Sequence, residues 1–153
     1  MTSQESHDRV LAAVDALKDD LVSTLSEVIS IPSVNPKYPG QVYDEVVGLE
    51  GRVSRLVGEI YEDAGADVEY WAVEKGRDNA VGTLKGTGGG RSLIFNGHVD
   101  VVPPGNPDRW TSGDPFSGKV DGDRVWGRGA SDMKAGLVAQ AFAVKALQRA
   151  GVA

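Results

Sequence analysis

The sequence predicts a layered α/β domain, in which helices pack against a central sheet. The prediction depends on the order of patterns along the chain, which runs helix, helix, three β-rich runs, hairpin, helix. A length of 153 residues suits one domain with a single core. Hydrophobic residues make up 41% and charged residues 25%, which favours a globular protein over a disordered or membrane-embedded one.

Two helices are predicted in the first half of the chain. Apolar residues recur every three or four positions from Val10 to Ile29, which is the spacing of one helix face. This helix should end near Pro32, because proline cannot donate to a helix and biases its predecessor toward extended backbone. The same spacing predicts a second helix from about Asp44 to Ala64.

Three β-rich runs follow, at 67–73, 79–86 and 92–97. The first alternates in polarity, as a half-exposed strand does, whereas Leu93 to Phe95 is a continuous apolar run. Such runs are typical of strands covered on both faces, so the third is predicted to be central. The glycine-rich stretch 86–91 leads into a strand instead of opening a helix, which favours a hairpin turn over a phosphate-binding loop.

The last third combines a long loop, a hairpin and a helix. Residues 101–120 are rich in proline and glycine, and loops of this length are usually functional or disordered. A hairpin is predicted around Asp121 and Gly122. Residues 131–151 have helical spacing, with Gly151 as the C-terminal stop.

Composition narrows the possible ligands and partners. The chain has no cysteine, which excludes disulfides and thiolate metal sites, so any metal would need imidazole and oxygen ligands. A net charge of -6 without a basic patch argues against nucleic-acid and membrane partners. We find no apolar run long enough to span a bilayer and no secretory signal pattern, and we therefore expect a cytoplasmic protein.

His98 and Asp100 are the first candidate site residues. They lie two positions apart at the end of the predicted central strand, so their side chains should point to the same face. Sites in α/β sheets tend to lie at such strand ends, and a metal-ligating histidine commonly hydrogen-bonds a carboxylate through its other nitrogen. A structural histidine–carboxylate pair fits the same pattern.

Asp132 is the second candidate. It lies between a turn containing Gly127 and Gly129 and the start of the last helix. Ser131 or Asp132 could cap that helix, and the carboxylate would interact favourably with the helix dipole. The flanking glycines could instead bring the carboxylate close to a metal. The residues alone leave both interpretations open.

Four further side chains are weaker site candidates, and structural or solvated roles are favoured for them. Trp110 and Phe116 could line a pocket, but aromatic residues in a long loop more often anchor it to the domain. Arg128 and Lys134 could bind a substrate carboxylate, although a solvated or structural role is favoured. His7 lies far from every motif and is expected to be exposed and inert.

Taken together, the motifs resemble the zinc-dependent amidohydrolases of the M20 type. The motifs are FNGHVDVVPPG at 95–105, Trp110 with the DPF of 114–116, and VWGRGASDMKAG at 125–136. ISIPSVNP and NAVGTLKG are similar as well. This family includes acetylornithine deacetylase, succinyl-diaminopimelate desuccinylase, aminoacylases and glutamate-releasing carboxypeptidases. The resemblance begins near residue 10 and implies the helix–sheet–helix fold of zinc-dependent exopeptidases, incomplete at the C-terminus.

The resemblance implies roles for three residues. His98 would ligate one zinc ion, Asp132 would bridge two zinc ions, and Asp100 would serve catalysis by orienting the His98 ring. The peptide bond that follows the bridging aspartate, Asp132-Met133 here, would be cis. A complete site would hold two Zn²⁺, and Co²⁺ or Mn²⁺ suits the same ligand types.

The family pattern also includes residues that this sequence lacks. In the family, a Glu-Glu pair beyond the bridging aspartate supplies the general base and a ligand, and the sequence contains no such pair. Residues 1–153 are therefore expected to be the N-terminal part of a catalytic domain, without the dimerisation and lid domain. We expect the chain alone to be inactive, to bind zinc weakly and to expose an apolar face prone to association.

The parent protein is expected to be a homodimeric dizinc hydrolase. It would cleave the amide bond of an N-acyl amino acid or small peptide with a metal-activated water. Deacetylase, desuccinylase, aminoacylase and dipeptidase activities all remain open. The alternative is a stand-alone fold fragment or interaction module without catalysis.

Overall fold

Five α-helices and two short hairpins form the fold in a computed structural model, which describes residues 3–152. The helices are α1 (Ser3–Ala16), α2 (Lys18–Ser30), α3 (Tyr43–Val46), α4 (Leu49–Asp63) and α5 (Ala135–Ala150). The strands are β1 (Asp67–Trp71), β2 (Asn79–Thr83), β3 (Val120–Asp121) and β4 (Arg124–Val125). A 3-10 turn covers Pro107–Arg109, and a kinked turn with non-helical backbone at Asp132 and Met133 covers Ala130–Lys134.

Leu17 separates α1 from α2, so the prediction of one continuous helix from Val10 to Ile29 is wrong. The Leu17 N–H donates to the Val14 carbonyl at 3.1 Å, a three-residue step that tightens the turn at this point. The Leu17 side chain is buried in the core, whereas α1 itself contains no buried residue. The predicted end before Pro32 is confirmed, because α2 ends at Ser30.

The second predicted helix is divided as well. Gly48 lies between α3 and α4 with a φ of 97°, a left-handed conformation that glycine adopts without the steric cost of a β-carbon. The turn at Gly48 ends the first piece and lets α4 begin in a new direction. α4 ends at Asp63, one residue before the predicted boundary.

The hydrophobic core lies between α2, α4 and α5. α5 packs on α1, α2 and α4, and α4 also packs on the β1–β2 hairpin. Burying one large aliphatic side chain contributes about 1.5–3 kcal/mol, so these helix contacts are the main source of stability. The core side chains are Leu17, Val28, Ile31, Val53, Val57, Ile60, Val138, Ala141, Phe142 and Ala146.

The β1–β2 hairpin confirms the first two predicted strands at slightly shorter lengths. The strands pair antiparallel, from Asp67 opposite Thr83 to Trp71 opposite Asn79. Burial alternates along β1, as the polarity pattern predicts, because α4 covers one face. On that face the Tyr70 ring lies 5.1 Å from the Arg55 guanidinium of α4.

Residues 92–97 do not form a strand, contrary to the prediction of a central strand covered on both faces. Leu93, Ile94 and Phe95 are 76%, 85% and 42% exposed. A central strand needs backbone partners on both sides, and within residues 3–152 β2 pairs with β1 alone. Without a strand after it, stretch 86–91 is not a hairpin turn either. The described part of the chain is thus a mixed fold of helices and two two-stranded sheets.

The C-terminal elements largely follow the prediction. The hairpin near Gly122 is β3–β4, in which Asp121 pairs with Arg124. Gly151 caps α5 in a left-handed conformation with a φ of 62°, which confirms it as the stop. Helix α5 begins at Ala135 instead of 131, because the backbone at Asp132 and Met133 is not helical. Within residues 3–152, no helix has the length and apolar character needed to cross a bilayer.

Candidate metal centre

His98, Asp100 and Asp132 come together although 34 positions separate the first from the last. The Nε2 atom of His98 lies 3.0 Å from Oδ1 of Asp132. The Nδ1 atom lies 2.9 Å from the backbone carbonyl of Asp100 and 3.3 Å from its Oδ1. Each imidazole nitrogen therefore faces an aspartate, one on either side of the ring.

The loop after α2 holds the segment that carries His98 and Asp100. Val34 and Val101 form a parallel β-bridge, in which Val101 N–H donates to the Ser33 carbonyl at 2.9 Å and Asn35 N–H donates to the Val101 carbonyl at 3.0 Å. The Ser33 hydroxyl also donates to the Val99 carbonyl at 2.8 Å. These bonds keep residues 98–101 in place even though residues 92–97 are not in a sheet.

Gly97 allows His98 to approach the start of α5. A β-carbon at this position would lie 2.7 Å from Leu137 and 2.8 Å from Met133, closer than side chains tolerate. The Met133 sulfur also accepts the His98 backbone N–H at 3.4 Å. Glycine at 97 therefore lets the histidine segment lie against the turn that carries Asp132 without displacing the ends of the Leu137 and Met133 side chains.

The kinked turn Ala130–Lys134 presents Asp132 to the imidazole. The Asp132 backbone is extended, with φ of -134° and ψ of 100°, and the Asp132-Met133 peptide bond is cis, as the resemblance implies. The helix-cap interpretation of Ser131 or Asp132 is wrong, because neither the turn nor α5 has a side-chain cap hydrogen bond and α5 starts beyond both residues.

Lys134 ties this turn to the end of α2. Its side chain is fully buried, and its Nζ donates to the carbonyl of Val28 at 2.8 Å and to that of Ile31 at 2.6 Å. Burial lowers the pKa of Lys134 to about 8, because a charged amine is costly away from water. The structural role is confirmed, since the buried amine joins the turn to two backbone carbonyls at the C-terminal end of α2.

The surroundings of His98 favour a positive charge at the ring. Burial opposes the charged form, but the hydrogen bond to the Asp100 carbonyl and the carboxylates of Asp132 and Asp100 outweigh it and raise the pKa of His98. Because Nδ1 faces two acceptors, its proton belongs there. Nε2 and the Asp132 carboxylate are then two acceptors 3.0 Å apart, an arrangement that needs a proton or a metal cation between them.

The donor set fits part of a zinc site. Two ligands of one tetrahedral zinc lie roughly 3.3 Å apart, close to the 3.0 Å between His98 Nε2 and Asp132 Oδ1. The His98 and Asp132 side chains are 48% and 86% exposed, so an ion can reach them. Over residues 3–152, however, no group of three histidine or acidic side chains suited to a metal occurs. Catalytic zinc normally has three protein ligands.

Sequence comparison relates the chain to a known protein family. A model of peptidase family M20/M25/M40 matches residues 94–153, which include all three candidates. The N-formyl-4-amino-5-aminomethyl-2-methylpyrimidine deformylase of Bacillus subtilis (strain 168) is 36% identical over 141 residues, covering 91% of the chain and 31% of the relative. The chain belongs to the peptidase M20 family.

A second enzyme name occurs among the M20 relatives. Succinyl-diaminopimelate desuccinylase of Cereibacter sphaeroides (strain KD131 / KCTC 12085) is 35% identical over 120 residues, 78% of the chain and 28% of the relative. The desuccinylase of Paracoccus denitrificans (strain Pd 1222) is 55% identical over 58 residues, 38% of the chain and 15% of the relative. The chain thus spans less than a third of the length of these relatives.

Trp110 and Arg128, two of the weaker site candidates, have structural contacts. Trp110 donates its indole N–H to the Pro104 carbonyl at 3.0 Å, and Arg128 lies 5.1 Å from the Trp110 ring. Both therefore anchor the long loop, as the favoured interpretation has it. Phe116 is half-buried in the same loop, and His7 is exposed on α1, as expected.

Sequence reasoning missed Asn35 as a site residue. Its side-chain Nδ2 donates to Oδ2 of Asp100 at 2.9 Å, across 65 positions of sequence. Asn35 lies in ISIPSVNP, which contributed to the family resemblance without a role for any single residue. An amide next to Pro36 is also typical of an ordinary turn, so only the structure could find this contact.

Proposed function

We propose that this chain is the metal-binding portion of a zinc-dependent amidohydrolase. His98 Nε2 and Asp132 Oδ1, 3.0 Å apart and exposed to solvent, are the observation that carries the proposal. M20 peptidases are typically zinc-dependent, which supports zinc as the metal. Co²⁺ and Mn²⁺ remain suitable for the same nitrogen and oxygen ligands.

Each candidate residue has a distinct role in this proposal. Asp100 keeps the proton of His98 on Nδ1, so that the Nε2 lone pair is directed at the metal position. Asp132 offers two carboxylate oxygens and would bridge two ions. A pair of bound divalent ions would lower the pKa of a bound water and polarise the amide carbonyl of the substrate.

The proposed substrate is an N-acylated amine, in particular an N-acyl amino acid or small peptide. The names of the relatives, a deformylase and a desuccinylase, both describe removal of an acyl group. Water would attack the acyl carbonyl, and the amine would leave with a proton supplied by a general acid. Residues 3–152 contain no group of three histidine or acidic side chains suited to a metal, and we propose that the acid–base group is supplied by another part of the parent.

We further propose that the parent completes the layered domain around an open groove. A groove of about 1320 Å³ lies between the β1–β2 hairpin, residues 92–100 and α5, and His98 borders it. Added strands pairing with residues 92–97 would cover the apolar run and form the predicted central sheet. In the same proposal, the parent contains a dimerisation and lid domain and forms a homodimer.

A zinc titration tests the metal site directly. The metal-free chain is titrated with Zn²⁺ in competition with a chromophoric chelator, beside His98→Ala, Asp132→Ala and the control His7→Ala. We expect affinity to fall about tenfold or more in both site variants, because each loses one of the few ligands. His7→Ala removes an exposed histidine far from the centre and should bind like the wild type.

Undiminished zinc binding in both site variants would contradict the proposed centre. The chain alone should not hydrolyse amides, since it has too few ligands for an active zinc. A hydrolysis rate that a chelator abolishes would show this part of the proposal to be wrong.

A non-catalytic interaction module is the second candidate. The exposed apolar run Leu93 to Phe95 and the absence of a third ligand within residues 3–152 favour it. This candidate predicts that wild type and His98→Ala bind zinc equally poorly. The titration therefore separates the two candidates.

A further inference from the structure

We infer that Asn35 is a positioning residue for the candidate metal centre, acting through Asp100 on His98. The inference rests on the proposed function, because it assigns the residue that orients the carboxylate behind the metal ligand. The Asp100 carboxylate uses its two oxygens in different directions. Oδ2 accepts the Asn35 amide at 2.9 Å, and Oδ1 lies 3.3 Å from His98 Nδ1.

The orientation of the Asn35 amide follows from a second hydrogen bond. Its Oδ1 accepts the backbone N–H of Lys37 at 2.9 Å, so the NH₂ group must be the end that faces Asp100. The Asn35 backbone is held as well, through its N–H bond of 3.0 Å to the Val101 carbonyl. These two hydrogen bonds fix Asn35 independently of its contact with the carboxylate.

A fixed donor at Oδ2 limits rotation of the Asp100 side chain. The carboxylate otherwise turns about its terminal torsion, which is broad and has no strongly preferred angle. With Oδ2 bound to Asn35, Oδ1 stays on the side of the imidazole and supports the Nδ1–H tautomer together with the Asp100 backbone carbonyl, which lies 2.9 Å from Nδ1. His98 Nε2 then remains available toward Asp132.

The Arg77 guanidinium, a charged group near Asp100, does not replace the hydrogen bond between Asn35 and Asp100. Arg77 interacts with Asp100 through space, but its guanidinium forms hydrogen bonds of 2.6 and 2.8 Å with the buried carboxylate of Glu50. Arg77 therefore points its donors at Glu50, and the neutral amide of Asn35 makes the direct contact with Asp100.

Ser33 provides a matched control within the same loop. Its hydroxyl donates to the Val99 carbonyl at 2.8 Å and supports the same bridge to residues 98–101. Unlike the Asn35 bond, this bond ends on backbone and leaves the carboxylate untouched. Ser33→Ala therefore weakens the loop attachment without removing the donor to Asp100.

The test is a double-mutant cycle on the zinc affinity of the 153-residue chain. Asn35→Leu, Asp100→Ala, their combination and Ser33→Ala are titrated with Zn²⁺ against a chromophoric chelator. Partners that contact a metal-ligating histidine contribute roughly 10- to 100-fold to affinity, and we expect this from Asp100→Ala. For Asn35→Leu, one contact further away, we expect a loss of about threefold to tenfold.

The coupling between the Asn35→Leu and Asp100→Ala substitutions in zinc affinity distinguishes a positioning role of Asn35 from a structural one. If Asn35 acts through Asp100, Asn35→Leu causes no further loss in the Asp100→Ala background, and Ser33→Ala changes affinity less than about twofold. Equal losses in both backgrounds, or an equal loss in Ser33→Ala, would overturn the inference. Asn35→Ser serves as the second variant if the leucine prevents folding, because its hydroxyl can support the turn but is too short to reach Asp100.

The outcomes also separate this inference from the proposed function. Zinc binding that disappears in His98→Ala but is unchanged in Asn35→Leu and Asn35→Ser would overturn the positioning role and leave the metal centre standing. Binding that is equally strong in His98→Ala and the wild type would overturn both.

Discussion

The helical core and the segment 92–97 contain equally apolar side chains, but those of the core are buried and those of the segment are exposed. Ile29 at the end of α2 is fully buried, whereas Ile94 is 85% exposed. A helix satisfies its backbone internally and needs only another surface to pack against. A strand also needs neighbouring strands for its N–H and C=O groups, and residues 92–97 have none among residues 3–152. Hydrophobicity alone therefore does not bury a segment.

Residues 98–101 directly follow this exposed segment, yet they are firmly attached. Ser33 and Asn35 hold them through four hydrogen bonds to backbone and carboxylate groups. The candidate metal centre thus depends on the loop after α2 and on the turn before α5. Its geometry can exist without the central sheet.

The largest expected difference in the free energy of unfolding is between alanine variants of two isoleucines, Ile29 and Ile94. Ile29→Ala should lower the free energy of unfolding by about 2–5 kcal/mol, because it leaves a cavity in a packed core. Ile94→Ala removes the same atoms from a solvent-exposed side chain and should change it by less than about 0.5 kcal/mol. Urea unfolding followed by circular dichroism measures both. Similar losses in the two variants would mean that residues 92–97 pack in solution.

The pH dependence of the free energy of unfolding tests the buried contact of Lys134 with the end of α2. The folded-state pKa of Lys134 is about 8, below its ordinary value of 10.5, so above pH 8 the unfolded chain binds more protons than the folded chain. Stability should therefore rise with pH, by about 2 kcal/mol between pH 8 and 9.5. Below pH 8 both states are protonated, and this contribution to the slope disappears.

Lys134→Met is the control for this pH effect. Methionine fills similar space without an ionisable group, so the variant should lack the rise between pH 8 and 9.5. The measurement is urea unfolding of metal-free protein at each pH. A wild-type slope that persists unchanged in Lys134→Met would assign the effect to other groups.

The smallest expected effect on stability comes from a charge in the exposed apolar run. Ile94→Lys should alter the free energy of unfolding by less than about 0.5 kcal/mol, because the side chain already faces water. It should reduce self-association, since it interrupts an exposed apolar surface next to unpaired backbone. Sedimentation velocity across a concentration series measures this, with the exposed surface change Val14→Lys on α1 as the control. Equal association in wild type and Ile94→Lys would argue against this segment as the contact.

By itself, the sequence determined the local features. Pro32 ends α2, Gly151 ends α5, and the Asp121–Gly122 stretch lies in a hairpin, because each depends on the conformational limits of one or two residues. The motifs around His98 and Asp132 also identified the family from residue types and spacing. Their roles as metal ligands stay a prediction.

The tertiary structure alone decided what depends on distant neighbours. Asn35 reaches Asp100 across 65 positions, and Lys134 reaches the Val28 carbonyl across 106 positions. No local pattern encodes such contacts. The apolar pattern of 92–97 is that of a buried strand, but a strand forms only where other strands offer hydrogen-bond partners. Whether it forms is therefore a property of the assembled sheet and cannot be derived from the segment itself.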